Sequence, residues 1–452
     1  MRGLEEGCAA SGTAKPTAAA AAAAAAAFRG RRWRGVPLTW MAAGKRRGAA
    51  QAHEATGAAA AAAPGAWKRV KARDGGAERE EDAAKGTHLY SLPAGRIVEG
   101  VLVKRPSVSI RSPYVADVRI GSRTVMAHCP SLDLGGLCVP GASLLLTVNE
   151  NAAVSLSELL RADDEEAGTE QALRAKTGQT KTSVSVQLVR CEEPESGTGG
   201  CWIGAHPSLG EKLALSVIEK LPWTVLGGAC SPAGRRVAAV KKQVTLATKG
   251  GRKMRADYVL DVADGGRTTR LVVEVKNVVC ADYKPDTKPD RKDCVFVSDR
   301  RPYERAAIFP WGSVKQVFEG KKVVSTRACE HIRTLASIAQ GGLPDGEYAS
   351  TEAVLLLLVN RGDAKYARPC FEACPVRPPV RPRACLPRRR SSRHAPPRDP
   401  DAHRRPARPL QTWAAEVESA ISKGVRVIAV GVAWEGHEAK FNGVLPFTLR
   451  TS

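Results

Sequence analysis

The chain has 452 residues, of which 43% are hydrophobic and 25% charged, with a formal net charge of +23. That length accommodates two or three domains, and no apolar run reaches the ~18 residues that a membrane-spanning helix needs. The positive excess favours polyanionic partners rather than any one fold, and it is unevenly placed. Residues 1–86 hold 15 Lys+Arg against 8 Asp+Glu, and residues 376–410 hold 11 Arg against 2 Asp. The remainder, where folding is expected, carries a net charge of only +7.

The first 90 residues read as a disordered, low-complexity leader. Ala18–Ala27 and Ala58–Ala63 are uniform runs, and "FRGRRWRG" (28–35) is basic. An Ala/Arg-rich, acid-poor leader has the character of a transit peptide, although this one is poor in Ser. A transit peptide would imply a plastid or a mitochondrion. A plain extension leaves the cytoplasm or the nucleus open.

Over 95–207 the pattern is one of strands. "GRIVEGVLVKRP", "YVADVRIGSRTVMAHCP", "GASLLLTVNE" and "TSVSVQLVRCEE" alternate or run apolar between Gly and Pro, which points to a small barrel or sandwich. Lys104, Arg105, Arg119 and Arg123 are candidates for a basic strand face on such a barrel. The polar stretch "LSELLRADDEEAGTEQALRAKTGQ" reads as a surface excursion. The cysteines show no CxxC pair, so small buried thiols are expected rather than a zinc site.

From 208 to 450 the pattern turns to α/β. "SLGEKLALSVIEKL" sets Leu209, Leu213, Val217 and Leu221 on one helix face. "STRACEHIRTLASIAQGG" predicts a helix with Ile332, Leu335 and Ile338 inward and Gly341 as its stop. "AVLLLLVN" and "VRVIAVGVAW" are apolar runs of the kind found in sheets covered on both faces. "TWAAEVESAISKG" between them is a helix through Trp413, Val417 and Ile421, so the two strands are expected to be parallel. The Arg/Pro-rich insert at 376–410 interrupts this unit and reads as disordered. A basic arm on DNA, or sequence absent from the working protein, are the other readings of it.

"RADYVLDVADGGRTTRLVVEVKNV" (255–278) carries the chemistry. It is a hairpin with acid on both strands. If Gly265-Gly266 turn, Asp257 faces Glu274. If Asp264-Gly265 turn, the two are diagonal neighbours. Either even-length loop puts both carboxylates on one side, with Lys276 two residues along on that side. Like charges so close need a cation between them. Two carboxylates and an ammonium suit Mg²⁺, which prefers a few carboxylate oxygens plus waters and leaves room for phosphate. A solvent-facing strand with cross-strand charges is the plain alternative.

The chain resembles the sugar fermentation stimulation protein (SfsA) family. The resemblance rests on "ADY" with Asp257 and "VEVK" with Glu274 and Lys276. It also rests on "ADV" at 116–118, "AHCP" at 127–130, "PGA" at 140–142, "AIFP" at 307–310 and "STRACEHI" at 325–332. It implies an α/β (α+β two-domain) fold, an N-terminal OB-like β-barrel followed by a restriction-endonuclease-like PD-(D/E)xK α/β domain. It further implies DNA binding without marked sequence preference and a regulatory role in sugar use. Asp257 and Glu274 would be metal ligands, Lys276 the phosphate- or water-positioning cation, and Arg327 and His331 nucleic-acid contacts. There are departures. Trp311 stands where the family has an Asp, and Leu215 falls near the family's helix Glu, with Glu211 and Glu219 as substitutes. A Mg²⁺-dependent nuclease, a non-catalytic DNA-binding module on the same fold, and a pocket for a small phosphorylated or sugar ligand all remain open at this point.

Overall fold

In the computed structural model of the chain, the described residues are 82–131, 134–150, 156–157, 173–174, 180–192, 200–226, 234–284, 297–298, 302–312, 315–344, 348–370 and 412–449. The expected leader up to residue 81 and the insert at 376–410 lie outside them. The leader's last residues belong to the fold, which corrects the boundary expected at 90. β1 (His88–Ser91) pairs antiparallel with a strand near the C-terminus, and Leu89 and Leu92 are buried. A four-residue strand offers one inward side chain, too little alternation to stand out from the Ala-rich stretch before it.

The alternating segments close a barrel. β2 (Ile97–Lys104), β3 (Val115–Ile120), β4 (Arg123–His128) and β5 (Ser143–Val148) are followed by a short hairpin, β6 (Leu173–Arg174) with β7 (Thr180–Lys181), and then by β8 (Val184–Cys191). The hydrogen-bonded order is β4-β3-β2-β5-β8, and β8 returns to β4 through Ala127↔Val184 and His128↔Ser185. Five strands thus leave no edge open. The inward positions, among them Val98, Leu102, Val118, Leu144, Leu146 and Val186, form one core. Gly100 is needed where β2 curls, because a Cβ there would meet Leu146 and Val118 at 2.8 Å. β9 (Cys201–Gly204) continues the sheet from β8.

The second half is built on a seven-stranded sheet. Helix α1 (Pro207–Lys220) and a short turn of helix, α2 (Trp223–Leu226), lead into β10 (Arg235–Ala247), β11 (Lys253–Asp264) and β12 (Arg267–Val278). After β13 (Ala306–Phe309), β14 (Gln316–Phe318) and β15 (Lys321–Val323) come α3 (Thr326–Ala339), β16 (Ser350–Val359) and β17 (Tyr366–Pro369). α4 (Thr412–Ser422), β18 (Arg426–Glu435) and β19 (Glu438–Leu445) complete it. The order is β1-β19-β18-β16-β12-β11-β10. β12, β16 and β18 run parallel, joined by α3 and α4, and β10-β11-β12 is an antiparallel meander.

The two faces of this sheet are covered by different helices. Val272 and Val278 of β12 share a core with Ile332 and Leu335 of α3 and with Trp413 and Val417 of α4. Leu271 and Val273 share the other core with Leu209, Leu213 and Val217 of α1. Each fully buried Leu or Ile in these helices contributes roughly 1.5–3 kcal/mol. β10 escapes a period-two reading, since its register shifts between Val237 and Ala239 and Gln243 has φ +53°. Two breaks in thirteen residues scramble the alternation that would announce a strand.

Candidate functional site

The hairpin turns at Gly265-Gly266, the first of the two alternatives. Asp264 pairs with Arg267 and Tyr258 with Val273. Both glycines have positive φ, +53° and +86°, the requirement of a tight two-residue hairpin turn. Continued one position past the last rung, that register sets Asp257 across from Glu274, and the two are close enough to feel each other's charge. There β11 leaves the ladder, and the Asp257 side chain takes over its role. Its Oδ2 accepts the Val275 amide at 2.8 Å, and its Oδ1 accepts Gln243 Nε2 at 3.3 Å. Gln243 sits at the irregular point of β10, which is why no sequence pattern flagged it.

Glu274 shares the parity of Val272 and so lies under α3. Its side chain is 2% exposed, with Lys276 16% and His331 12% exposed beside it. Oε1 accepts from Lys276 Nζ, and from His331 Nδ1 at 2.5 Å. His331 Nε2 meets Arg327 Nε at 3.3 Å. Arginine only donates, so Nε2 carries the lone pair and Nδ1 the proton that goes to Glu274. Oε2 of Glu274 is buried and has no hydrogen-bond partner among the described residues.

Electrostatics separates the two acids. Burial, then the charge of Glu274, pushes Asp257 above its ordinary value against the pull of the Val275 amide and Lys276. Burial also pushes Glu274 up, but the His331 hydrogen bond and the Lys276 charge outweigh it and leave Glu274 below its ordinary value. The two acids are thus displaced in opposite directions by their surroundings.

The other expected residues are placed as follows. Arg327, at the start of α3, is exposed and touches His331, so the two form a chain leading to Glu274 rather than independent surface contacts. On the barrel, Lys104 and Arg119 are exposed and Arg123 is partly buried. Arg105 is committed to the barrel's own loops. It donates to Pro113 O and Ser131 O at 2.8 Å and to Cys138 Sγ at 3.2 Å. Glu211 and Glu219 are exposed on α1, the helix of the opposite face.

Two carboxylates on one side of the sheet, one with an orphaned buried oxygen, fit a divalent cation by charge and by donor type. Among the described residues, no group of three or more His, Cys, Asp or Glu side chains is arranged to hold a metal ion. Asp257 and Glu274 are the residues that would hold such a cation, and the protein offers it fewer than three ligating side chains there.

No protein-family model matches the sequence, and no curated protein matches it. Among solved structures the chain is similar to the structure of Pyrococcus furiosus SfsA in complex with Ca²⁺, at 15% sequence identity and a TM-score of 0.44, over 80% of this chain and 99% of that one.

Proposed function

We propose that the chain is a DNA-binding protein whose large-sheet half is a nuclease-like domain of the PD-(D/E)xK type, acting on phosphodiesters with Mg²⁺. The observation that carries this reading is the bare, buried Oε2 of Glu274. A buried carboxylate oxygen without a donor costs free energy. Here its partner oxygen is fixed by two donors, so the bare one is held in place for a further cation. The order α1, β10-β11-β12 meander, α3, β16 supports the nuclease-like assignment.

When bound, Mg²⁺ would lower the pKa of a water and offset charge on the phosphate. The protein's own part is positional. The Val275 amide and Gln243 orient Asp257, while Lys276 and His331 orient Glu274. Lys276 also supplies positive charge beside both acids and is the group suited to hold a water or a phosphate oxygen. Lys104, Arg119 and Arg123 would add phosphate contacts from the barrel. Such contacts give salt-sensitive, sequence-tolerant binding, with Kd on the order of 10⁻⁴–10⁻⁶ M.

A second reading, a DNA-binding module without turnover, has its own support. Both oxygens of Asp257 are already engaged, and the described residues hold no three-ligand cluster. A plasmid-nicking assay in Mg²⁺ separates the two. Wild type is expected to nick and Glu274→Ala to lose activity about 10²-fold or more, the usual scale for removing a main electrostatic contributor. Equal cutting by both rejects the site. DNA retention without any cutting by wild type selects the second reading.

A further inference from the structure

We infer that Arg327 is a phosphate-contacting residue for a nucleic-acid backbone, and that His331 is a positioning residue that aims Arg327 while holding Glu274. The inference rests on the phosphodiester reading above and extends it from the acids to the substrate. The imidazole has two nitrogens and each is used. Nδ1 is on the buried Glu274 Oε1 at 2.5 Å, and Nε2 takes Arg327 Nε at 3.3 Å. The Nε hydrogen bond fixes the plane of the Arg327 guanidinium and turns its two terminal nitrogens away from His331. Those nitrogens have no partner among the described residues, and the residue is exposed.

The position of Arg327 makes little sense for stability. It is the second residue of α3, where a cation opposes the positive end of the helix dipole. The same place is favourable once an anion arrives, since the helix end and the guanidinium then attract it together. A planar fork with its Nε occupied offers its remaining donors to one phosphate group. The substrate's charge would thus connect, through one ring, to the carboxylate whose other oxygen is bare.

The test is equilibrium binding of a fluorescein-labelled duplex to the full-length chain, without metal and in EDTA, across a salt series. Arg327→Gln is expected to weaken binding several-fold on every sequence and to make the log K against log salt slope shallower by about 0.9. Arg327→Lys is expected to keep the slope and recover only part of the affinity, because it cannot donate to His331 and present a fork at once. His331→Phe removes both hydrogen bonds and should weaken binding too. Combined with Arg327→Gln it should cost nothing more, since it acts through Arg327. Losses that add in the double variant overturn the positioning role. An unchanged slope in Arg327→Gln overturns the phosphate contact. Thermal melts accompany each variant, and His331→Leu replaces His331→Phe if the latter does not fold. Inorganic phosphate that protects wild type from heat through Arg327, while duplex binding ignores Arg327, would assign a free-phosphate site and also overturn the inference. The assay involves neither metal nor turnover, so a chain that fails to nick DNA but keeps the Arg327 dependence sinks only the nuclease reading.

Discussion

Two acids in this molecule, Glu274 fully buried and Asp363 nearly so, differ in how they are satisfied. Asp363 is 10% exposed, in the loop between β16 and β17 where the large sheet meets the barrel. Arg361 Nε reaches its Oδ1 at 2.6 Å, and Arg361 Nη2 at 2.7 Å and Arg305 Nη1 reach its Oδ2. Arg361 also donates to Val279 O at 3.0 Å and bridges to Ile203 of β9. Every oxygen of Asp363 is spoken for, and the cluster joins the two halves. Glu274 has its two donors on one oxygen and none on the other. A fully satisfied buried carboxylate is a fastener. A half-satisfied one, held just as firmly, is available for something that arrives later.

The sharpest way to break that contrast is to neutralise each acid in turn. Asp363→Asn should cost about 3–5 kcal/mol, because it strands two buried guanidinium groups. Glu274→Gln should cost roughly 1–3 kcal/mol, since one oxygen had nothing to lose. Urea denaturation measures both, and a larger loss at Glu274 would undo the comparison. pH gives an independent check. Burial pushes Asp363 up, but the charges and hydrogen bonds of Arg361 and Arg305 outweigh it and hold the carboxyl well below the usual range. A depressed acid contributes its full stability above its unfolded value of about 3.9 and loses it as pH falls toward the folded value. The stability gap between wild type and Asp363→Asn is therefore constant near neutrality and closes below about pH 4.

Metal linkage sharpens the same contrast from the other side. At about 100 times its Kd, Mg²⁺ should stabilise wild type by roughly 2.7 kcal/mol. Glu274→Ala should show no such gain, while Asp363→Asn, though weaker throughout, should gain as much as wild type. A gain that survives Glu274→Ala would place the cation elsewhere.

The two acids also differ in how far they could be read from the sequence. Glu274 was legible because strand period and turn length are local rules, and "VEVK" after Asp-Gly-Gly satisfies both. The barrel strands, the α3 stripe of Ile332, Leu335 and Ile338, and the parallel β16 and β18 were legible for the same reason. Asp363 left no trace. Its partners are a loop residue two positions away and Arg305 from another loop, and only tertiary packing unites them. His331 falls between these cases. Its helix was clear, yet its contact with Glu274, 57 residues away in sequence, depends on which face of the sheet α3 covers. β10 was lost because two irregularities broke its alternation, and with it went Gln243.

Gln243 offers the smallest and most local test of how the acid pair is held. It does two opposing things at one position. Its amide supports Asp257 Oδ1, worth about 0.5–1.5 kcal/mol, while its backbone sits at φ +53°, which costs an L-residue roughly 1–2 kcal/mol. Gln243→Gly gives up the hydrogen bond and the strain together and should stay within about 1 kcal/mol of wild type. Gln243→Ala gives up the hydrogen bond and keeps the strain, so it should be less stable than Gln243→Gly by about 1 kcal/mol. The two melts differ only in a methyl group. If alanine proves as stable as glycine, the left-handed kink is not what sets Gln243 against Asp257, and β11 must leave the ladder for another reason.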